Sequence, residues 1–259
     1  MTKYKTKEIN VEVEGNNLVG KLCYESFGLK EKPLMILCHG IPAGNAQEEK
    51  KGQDGGYPAL AEQCVKNGFV TFYFNFRGTG LSHGNFDLKG WTKDLKGCLD
   101  FLEEKGYAGD KGFYLWGFSA GAAVSTYLAA KDSRIKALVL AACPARFENL
   151  FPKEEKEKII TELRSRGIIR DPWFPRDYFE WLENIYEINP NNHIDKINET
   201  EKLIVHGSKD ELISLNEAYE LYECAKEPKK ISVIDGGKHQ LRRNHEAVDI
   251  CLNWFKTLS

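Results

Sequence analysis

The spacing of hydrophobic positions changes several times along the chain, and each spacing predicts a different element. Between Lys7 and Glu14 apolar and polar residues alternate, the turn residues Gly15-Asn16-Asn17 follow, and the strand pattern resumes from Leu18 to Tyr24. Alternation on both sides of a short turn is typical of a β-hairpin with one face in water. The N-terminal segment is therefore predicted to form an antiparallel hairpin at a sheet edge.

A different pattern follows, in which short and predominantly apolar runs alternate with segments of helical spacing. The apolar runs lie at 34–38, 69–74, 113–116, 137–142, 203–206 and 230–234, and the helical segments at 57–66, 91–104, 120–130, 215–225 and 242–258. A run that is apolar throughout is typical of a strand buried on both faces. The alternation predicts βαβ units around a mostly parallel central sheet flanked by helices.

The alternation is interrupted between residues 145 and 198. This stretch carries a charged segment of helical spacing at 153–166, a proline-containing turn at 171–175 and an aromatic segment at 178–188. The strand and helix pattern then returns at 203. The stretch is therefore predicted to be an insertion over one end of the sheet, within a single domain.

Composition and charge exclude several classes of function. The formal net charge of −2 gives no electrostatic reason to bind nucleic acid or anionic membrane. The longest apolar run, Ala137–Cys143, is too short to span a bilayer, and the N-terminal residues lack an apolar signal core. The seven cysteines are scattered, without a CxxC pair or metal-ligand spacing. We expect a cytoplasmic protein without disulfides, metal or membrane insertion; its oligomeric state stays open.

The strongest chemical signal lies where the apolar run 113–116 meets Gly117-Phe118-Ser119-Ala120-Gly121 and then an alanine-rich helical segment. A Gly-x-Ser-x-Gly motif between a strand and a helix is typical of a nucleophile elbow. The tight turn requires small flanking residues, which the two glycines supply. Ser119 is the candidate nucleophile. The amide of Ala120 would open the helix and point at an oxyanion.

The partners of this serine are expected in the other loops at the same sheet edge, because ligands bind beyond the carboxyl ends of parallel strands. After the run 34–38 the amide of Ile41 is the candidate second oxyanion donor, since Pro42 has no N–H. After 203–206 Asp210 is the candidate acid that orients an imidazole. After 230–234 His239 is the candidate general base.

Alternatives exist for two of these roles. Glu211 is the second choice for the acid, and either carboxylate could instead cap a nearby helix. His245 is the rival base, although it falls in the last predicted helix. His39 precedes the acid in sequence and is interpreted as a structural residue that ties loops together, and His206 ends a predicted strand.

The chain order Ser119, Asp210, His239 is that of α/β hydrolases and differs from the orders of chymotrypsin and subtilisin. On these residues the chain resembles the α/β-hydrolase family, most closely the small esterases and serine aminopeptidase-like members. The motifs that carry the resemblance are HGIPAG at 39–44, FNFRGTGLSHG at 74–84, GFSAG at 117–121, HGSKDELI at 206–213 and GGKHQL at 236–241.

The resemblance implies an α/β-hydrolase fold and cofactor-free hydrolysis of esters, thioesters or amides through a Ser-His-Asp triad and an acyl-enzyme. It also implies that 1–144 and 199–259 form the core and that 145–198 forms a small helical cap. Arg77, in the loop before the elbow, is expected to tie loops together. A non-catalytic binding protein on the same fold is the alternative from a different class.

Four aromatic residues of the insertion are candidates for an apolar acyl pocket: Trp173, Phe174, Tyr178 and Trp181. The alternative is that they pack the insertion onto the body. The polar stretch 45–56 could also border the substrate, which we expect to be a small-molecule ester with a small to medium acyl group. An aminopeptidase-like activity would need a carboxylate for the substrate amine, and the insertion offers candidates at Glu180, Glu183 and Glu187.

Overall fold

The computed structural model describes residues 4–25, 31–44 and 56–259. Within these residues eight strands form one sheet: β1 (Lys5–Val13), β2 (Asn16–Tyr24), β3 (Leu34–Cys38), β4 (Val70–Phe74), β5 (Phe113–Phe118), β6 (Ile135–Ala141), β7 (Glu201–Gly207) and β8 (Lys229–Ile234). Their order in the sheet is β1-β2-β4-β3-β5-β6-β7-β8.

The described α-helices are α1 (Gly56–Lys66), α2 (Leu88–Glu104), α3 (Ala120–Ala129), α4 (Lys156–Ser165), α5 (Tyr178–Tyr186), α6 (Leu215–Cys224) and α7 (His245–Lys256). Short 3₁₀ turns lie at Lys153–Glu155, Pro190–Asn192, Ile194–Lys196 and Leu241–Arg243. No helix in the described ranges has both the length and the apolar character needed to cross a membrane.

The N-terminal hairpin is confirmed. β1 and β2 pair antiparallel from Lys5↔Tyr24 to Val13↔Asn16, and β2 pairs antiparallel with β4. In β1 the buried side chains are Ile9 and Val11, between exposed neighbours, as the alternating pattern predicts. The remaining strands are parallel to one another, so the sheet is mostly parallel with an antiparallel edge.

The strands in the middle of the sheet are buried on both faces because helices cover each side. Every residue of β3 and β5 is buried. The hydrophobic core on one face of the sheet contains side chains from α2, α3, α4, α5 and α6. The core on the other face contains side chains from α1 and α7. The continuously apolar runs of the sequence therefore reflect two layers of helices around one sheet.

The register of the parallel strands brings their carboxyl ends to one edge. Cys38 pairs with Gly117 across β3 and β5, and Phe118 pairs with Ala141 across β5 and β6. On the far side Gly207 of β7 pairs with Ile234 of β8. The loops that follow these strands begin at the same level, which is the arrangement that the sequence predicts for the candidate residues.

The stretch 145–198 contains α4, α5 and short turns, and its apolar side chains join the core of the body. Trp181 of α5 donates its indole N–H to the carbonyl of Phe86 at 3.2 Å. Arg170 donates to the carbonyls of Ser82 at 2.6 Å and Gly80 at 3.0 Å. The insertion is thus fastened to the loop that follows β4.

Two segments that were each predicted as one helix are divided in the structure into a 3₁₀ turn and an α-helix, although the hydrophobic periodicity continues through both. The segment predicted as one helix from 242 begins as a 3₁₀ turn. Asn244 then starts α7 afresh, because its side chain accepts a hydrogen bond from the Ala247 amide at 2.9 Å. Similarly, the predicted helix 153–166 divides into a 3₁₀ turn and α4.

Candidate active site

Ser119 lies at the turn between β5 and α3, with φ 52° and ψ −123°. A side chain other than glycine rarely adopts a positive φ, and the conformation costs roughly 1–3 kcal/mol. The surrounding backbone holds it: the Ser119 amide donates to the Ala141 carbonyl at 2.9 Å, and the Ser119 carbonyl accepts from the Ala122 amide at 2.9 Å. Strain of this kind is typical of a nucleophile elbow.

Glycines allow three segments of backbone to meet at this turn. A Cβ at Gly117 would lie 2.4 Å from the Cα of Ala122, and a Cβ at Gly121 would lie 2.3 Å from the Cys38 carbonyl oxygen. A Cβ at Gly40 would lie 2.9 Å from the Cβ of Ser119. The loop after β3 therefore touches the nucleophile turn directly, a contact that the sequence does not reveal.

The two candidate oxyanion donors have amides that no other described group uses. Ala120 is the first residue of α3, where an amide has no partner inside the helix. Ile41 follows Gly40, which is in contact with Ser119. Within residues 4–25, 31–44 and 56–259, neither the Ala120 nor the Ile41 amide donates a hydrogen bond to a protein acceptor. Both therefore stay candidate donors to a bound oxygen.

Asp210 and His239 form a hydrogen-bonded pair. His239 Nδ1 lies 2.9 Å from Asp210 Oδ2 and 3.1 Å from Oδ1. The carboxylate is completely buried, whereas the imidazole is 14% exposed. Because a carboxylate only accepts, Nδ1 carries the proton and Nε2 presents a lone pair on the other side of the ring. This is the tautomer that a general base requires.

The backbone around Asp210 stabilises its charge. Oδ1 also accepts from the amides of Leu212 and Ile213, each at 2.9 Å. Burial by itself raises the pKa of Asp210, but the hydrogen bonds from His239 and from the two amides outweigh it and hold the pKa below its ordinary value. Asp210 is therefore ionised at neutral pH and able to stabilise an imidazolium.

The loops that carry this pair are tied to each other through their backbones. The Lys209 amide donates to the Gly237 carbonyl at 2.9 Å, and the Ser208 amide donates to the Ile234 carbonyl at 2.9 Å. A Cβ at Gly207 would lie 2.2 Å from the Gly237 carbonyl oxygen. Glycines at 207 and 237 thus permit the close approach that sets the distance between acid and base.

The rival residues lack such contacts. Glu211 and His245 are exposed, and neither has a hydrogen bond or ion pair through its side chain in the described part of the chain. Ser119 Oγ likewise has no hydrogen bond to His239 within these residues. Hydrogen bonds between nucleophile and base are often long in the absence of substrate. The structure joins acid and base, and places the serine turn at the same sheet edge.

His39 has a structural role, as the sequence indicates. Its Nε2 accepts from the Phe76 amide at 3.1 Å and lies 3.1 Å from Thr79 Oγ1, while Nδ1 lies 2.7 Å from the Gly40 carbonyl oxygen. Burial lowers the pKa of His39 to about 4, although the Gly40 carbonyl opposes the shift. A neutral His39 therefore links the loop after β3 to the loop after β4.

Arg77 also ties elements together. Its Nη2 and Nε donate to Asp94 Oδ1 at 2.7 and 2.9 Å, and its own amide donates to Asp94 Oδ2 at 2.8 Å. Asp94 lies in α2 and its side chain is fully buried. The pair fixes the loop after β4 onto α2 and leaves Arg77 engaged away from the candidate triad.

The four candidate pocket aromatics have different surroundings. Trp181 is buried against Phe86 and helps pack the insertion onto the body. Trp173 is 70% exposed, whereas Phe174 and Tyr178 line a cleft of about 160 Å³ in the insertion. Ser119 does not line this cleft, and no hydrogen bond joins it to any of the four in the described part of the chain, so the acyl pocket stays a prediction. Residues 45–55, which could also border the substrate, lie outside the described ranges.

For two residues near the site the sequence predicts no part in the acid–base pair, although His206 opens the motif HGSKDELI. His206, which the sequence places only at a strand end, lies with its Nε2 3.4 Å from Asp210 Oδ2. Arg166, at the end of α4, donates to the Pro42 carbonyl at 3.2 Å and so links the insertion to the loop that carries Ile41. The position of His206 at a carboxyl end could have identified it, whereas Arg166 depends on tertiary packing alone.

Comparison with known proteins agrees with this architecture. The family model described as "alpha/beta hydrolase fold" matches residues 33–160. The chain is 22% identical to the protein YfhR of Escherichia coli over 228 residues, which cover 87% of this chain and 70% of YfhR. It is 30% identical to a monoacylglycerol lipase of Saccharomyces cerevisiae over 109 residues, or 40% of this chain and 22% of the lipase.

Among solved structures, an esterase of Pyrococcus furiosus superposes with a TM-score of 0.70 at 20% identity, over 99% of this chain and 94% of the esterase. At this identity the likeness establishes the fold, including the mostly parallel sheet with its antiparallel N-terminal strands. The matched range begins at residue 33, just before β3, includes the serine turn and ends at residue 160 in α4. Together, the sheet order, the strained Ser119 turn and the family match show that the chain belongs to the α/β-hydrolase family.

Proposed function

We propose that this protein is a serine hydrolase that cleaves carboxylic esters with small to medium acyl groups. The observation that carries the proposal is the buried Asp210–His239 pair, which lies at the same sheet edge as the strained Ser119 turn. A buried charge is costly unless it is paired, and here its partner is an imidazole whose Nε2 makes no hydrogen bond to residues 4–25, 31–44 or 56–259. Structural stability alone gives little reason for this arrangement.

In the proposed reaction Ser119 Oγ attacks the ester carbonyl carbon and gives its proton to His239 Nε2. The new imidazolium is stabilised by ionised Asp210 across the 2.9 Å contact. The carbonyl oxygen becomes an oxyanion that accepts hydrogen bonds from the Ile41 and Ala120 amides. Loss of one such donor typically lowers the rate by about 10²–10³-fold.

Collapse of this intermediate breaks the bond to the alcohol oxygen, which takes the proton from His239 and leaves as the free alcohol. The acyl group then remains on Ser119. His239 next removes a proton from a water molecule that attacks the acyl carbon, and the acid is released with the serine hydroxyl restored. The cycle consumes one water and needs no cofactor.

Two of the similar proteins are an esterase and a monoacylglycerol lipase, and this similarity supports ester chemistry. The insertion 145–198 is proposed to be the cap that borders the acyl group, since Arg166 connects it to the loop that carries Ile41. The same side chains would also cleave a thioester or an activated amide. Substrate comparison therefore forms part of the test.

The test measures hydrolysis of p-nitrophenyl acetate, butyrate and octanoate, with a butyryl thioester and a p-nitroanilide alongside. Wild type should hydrolyse at least one of the three esters and react covalently with a fluorophosphonate at Ser119, and Ser119→Ala should lose both properties. Ser165→Ala is the matched control, because Ser165 is exposed in α4. Absence of both ester turnover and labelling in folded wild type would refute the proposal.

A further inference from the structure

His206 is a buried histidine beside the candidate acid that no step of the proposed reaction uses. It is the next-to-last residue of β7 and its side chain is fully buried. Its Nε2 lies 3.0 Å from the Ile213 carbonyl oxygen and 3.4 Å from Asp210 Oδ2. Both neighbours are acceptors, so Nε2 carries the proton and Nδ1 carries the lone pair.

The other ring nitrogen of His206, Nδ1, makes no stabilising hydrogen bond with the described residues. Nδ1 of His206 is buried and has no hydrogen-bond partner among the described residues. A buried polar atom without a partner destabilises a fold, and an apolar side chain of similar size would avoid that cost. The stabilising interaction of the imidazole is therefore the hydrogen bond from Nε2–H to the Ile213 carbonyl, which lies beside Asp210.

The backbone of Ile213 links the Nε2–H of His206 to the Asp210 carboxylate indirectly. The Ile213 carbonyl accepts from His206, while the Ile213 amide donates to Asp210 Oδ1 at 2.9 Å. His206 thus holds the backbone segment whose amide binds the carboxylate, and its Nε2 lies 3.4 Å from Oδ2. Oδ2 is the oxygen that lies closer to His239 Nδ1, at 2.9 Å compared with 3.1 Å for Oδ1.

We infer that His206 is a positioning residue that fixes the Asp210 carboxylate so that Oδ2 faces His239. This inference rests on the proposed function, because it assigns His206 a task within the same acid–base pair. His206 contacts no reacting atom. Its effect reaches the substrate only through the orientation of His239, so its loss should lower kcat and leave KM nearly unchanged.

Three substitutions separate positioning from packing. The Nε2 amide of glutamine is as many bonds from Cα as the Nε2 of histidine, so His206→Gln retains a donor at the right distance. The amide of asparagine matches the position of Nδ1 instead, and leucine has no donor. We expect kcat for p-nitrophenyl butyrate to fall about tenfold or more in His206→Asn and His206→Leu, and to stay within about threefold of wild type in His206→Gln.

A matched control is available at His193. This histidine is also buried, its Nε2 lies 2.7 Å from the Glu187 carbonyl oxygen, and its Nδ1 likewise has no partner in the described structure. Its contact is with Tyr127 and not with Asp210. His193→Leu should therefore keep the wild-type kcat. Rates are normalised to the fraction of sites that a fluorophosphonate titrates, so partial unfolding of a variant does not imitate a slower reaction.

A second readout is the low-field proton NMR signal of the His239 Nδ1–H. This signal should be retained in His206→Gln and shifted or broadened in His206→Leu. Equal kcat values in His206→Leu and wild type, or equal losses in His206→Gln and His206→Asn, would overturn the inference. Wild type that fails to hydrolyse esters or to be labelled at Ser119 would instead contradict the proposed function, and the two failures are thereby distinguished.

Discussion

Replacement of Asp210 by asparagine tests the centre of the proposed mechanism with almost no change in volume. The amide oxygen can take the place of Oδ1 and accept from the Leu212 and Ile213 amides, which lie 2.9 Å away. The amide nitrogen must then take the place of Oδ2. It would present N–H groups to His239 Nδ1 and to the N–H of His206, 2.9 and 3.4 Å from that position.

Two donors cannot share a hydrogen bond, so His239 must change its tautomer. Nδ1 becomes the acceptor and the proton moves to Nε2, which can then no longer take a proton from Ser119. The negative charge that would stabilise the imidazolium is also lost, and no water can replace it because the Asp210 side chain is completely buried. Comparable changes in other serine hydrolases lower kcat by about 10⁴-fold, which corresponds to about 5 kcal/mol of activation free energy.

The assay is p-nitrophenyl butyrate hydrolysis at pH 7–8, with circular dichroism as a check on folding. Glu211→Gln is the matched control, because the neighbouring carboxylate is exposed and unpaired in the described structure. Asp210→Asn should lose about 10⁴-fold in kcat and Glu211→Gln should retain wild-type activity. A folded Asp210→Asn variant within tenfold of wild type would refute the reasoning, and a large loss in Glu211→Gln would transfer the acid role to that residue.

Three further outcomes are expected. Gly121→Ala should destabilise the protein by roughly 1–3 kcal/mol and reduce Ser119 labelling, because its Cβ would lie 2.3 Å from the Cys38 carbonyl oxygen; urea unfolding measures the loss. His39→Gln should flatten the pH dependence of unfolding. Since the folded-state pKa of His39 is lowered from 6.5 to about 4, the unfolded chain binds the extra proton, and wild type should lose about 3 kcal/mol as pH falls across that window. Arg166→Ala should lower kcat/KM several-fold while Tm changes little, because the hydrogen bond to the Pro42 carbonyl lies on a partly exposed surface; unchanged kcat/KM would contradict that link.

The sequence was sufficient to predict the fold because two hydrophobic patterns, alternation and apolar runs, coincide with the observed strands. Alternation predicted the edge hairpin β1–β2, and unbroken apolar runs predicted the parallel strands that helices cover on both faces. The errors lie at helix ends, such as Asn244, where a side-chain cap starts a new helix inside an apparently continuous pattern. Caps depend on one hydrogen bond, which periodicity does not register.

The candidate site was predictable to the extent that its residues follow strands. Ser119, Asp210 and His239 each lie in the turn or loop that follows a strand whose carboxyl end reaches the same edge. The sequence ranked Asp210 above Glu211 and His239 above His245, but the hydrogen bond between Asp210 and His239 required the structure, because it depends on the directions of the two side chains. The acyl pocket stays a prediction, and its aromatic candidates differ in a way that sequence does not reveal, since Trp181 is buried and Trp173 is exposed.

The geometry of the site depends on backbone approaches more than on the catalytic side chains themselves. Gly40 against Ser119, Gly121 against Cys38 and Gly207 against the Gly237 carbonyl are contacts where a Cβ would lie within 3 Å of another segment. The first two contacts hold the segment around Cys38 and Gly40 against the Ser119 turn and the start of α3, and the third holds the loop after β7 against the loop after β8, so backbone approaches fix the relative positions within each pair of segments. Alanine at these glycines should therefore impair catalysis through displacement of whole loops, whereas substitutions at Asp210 or His206 act within loops that stay in place.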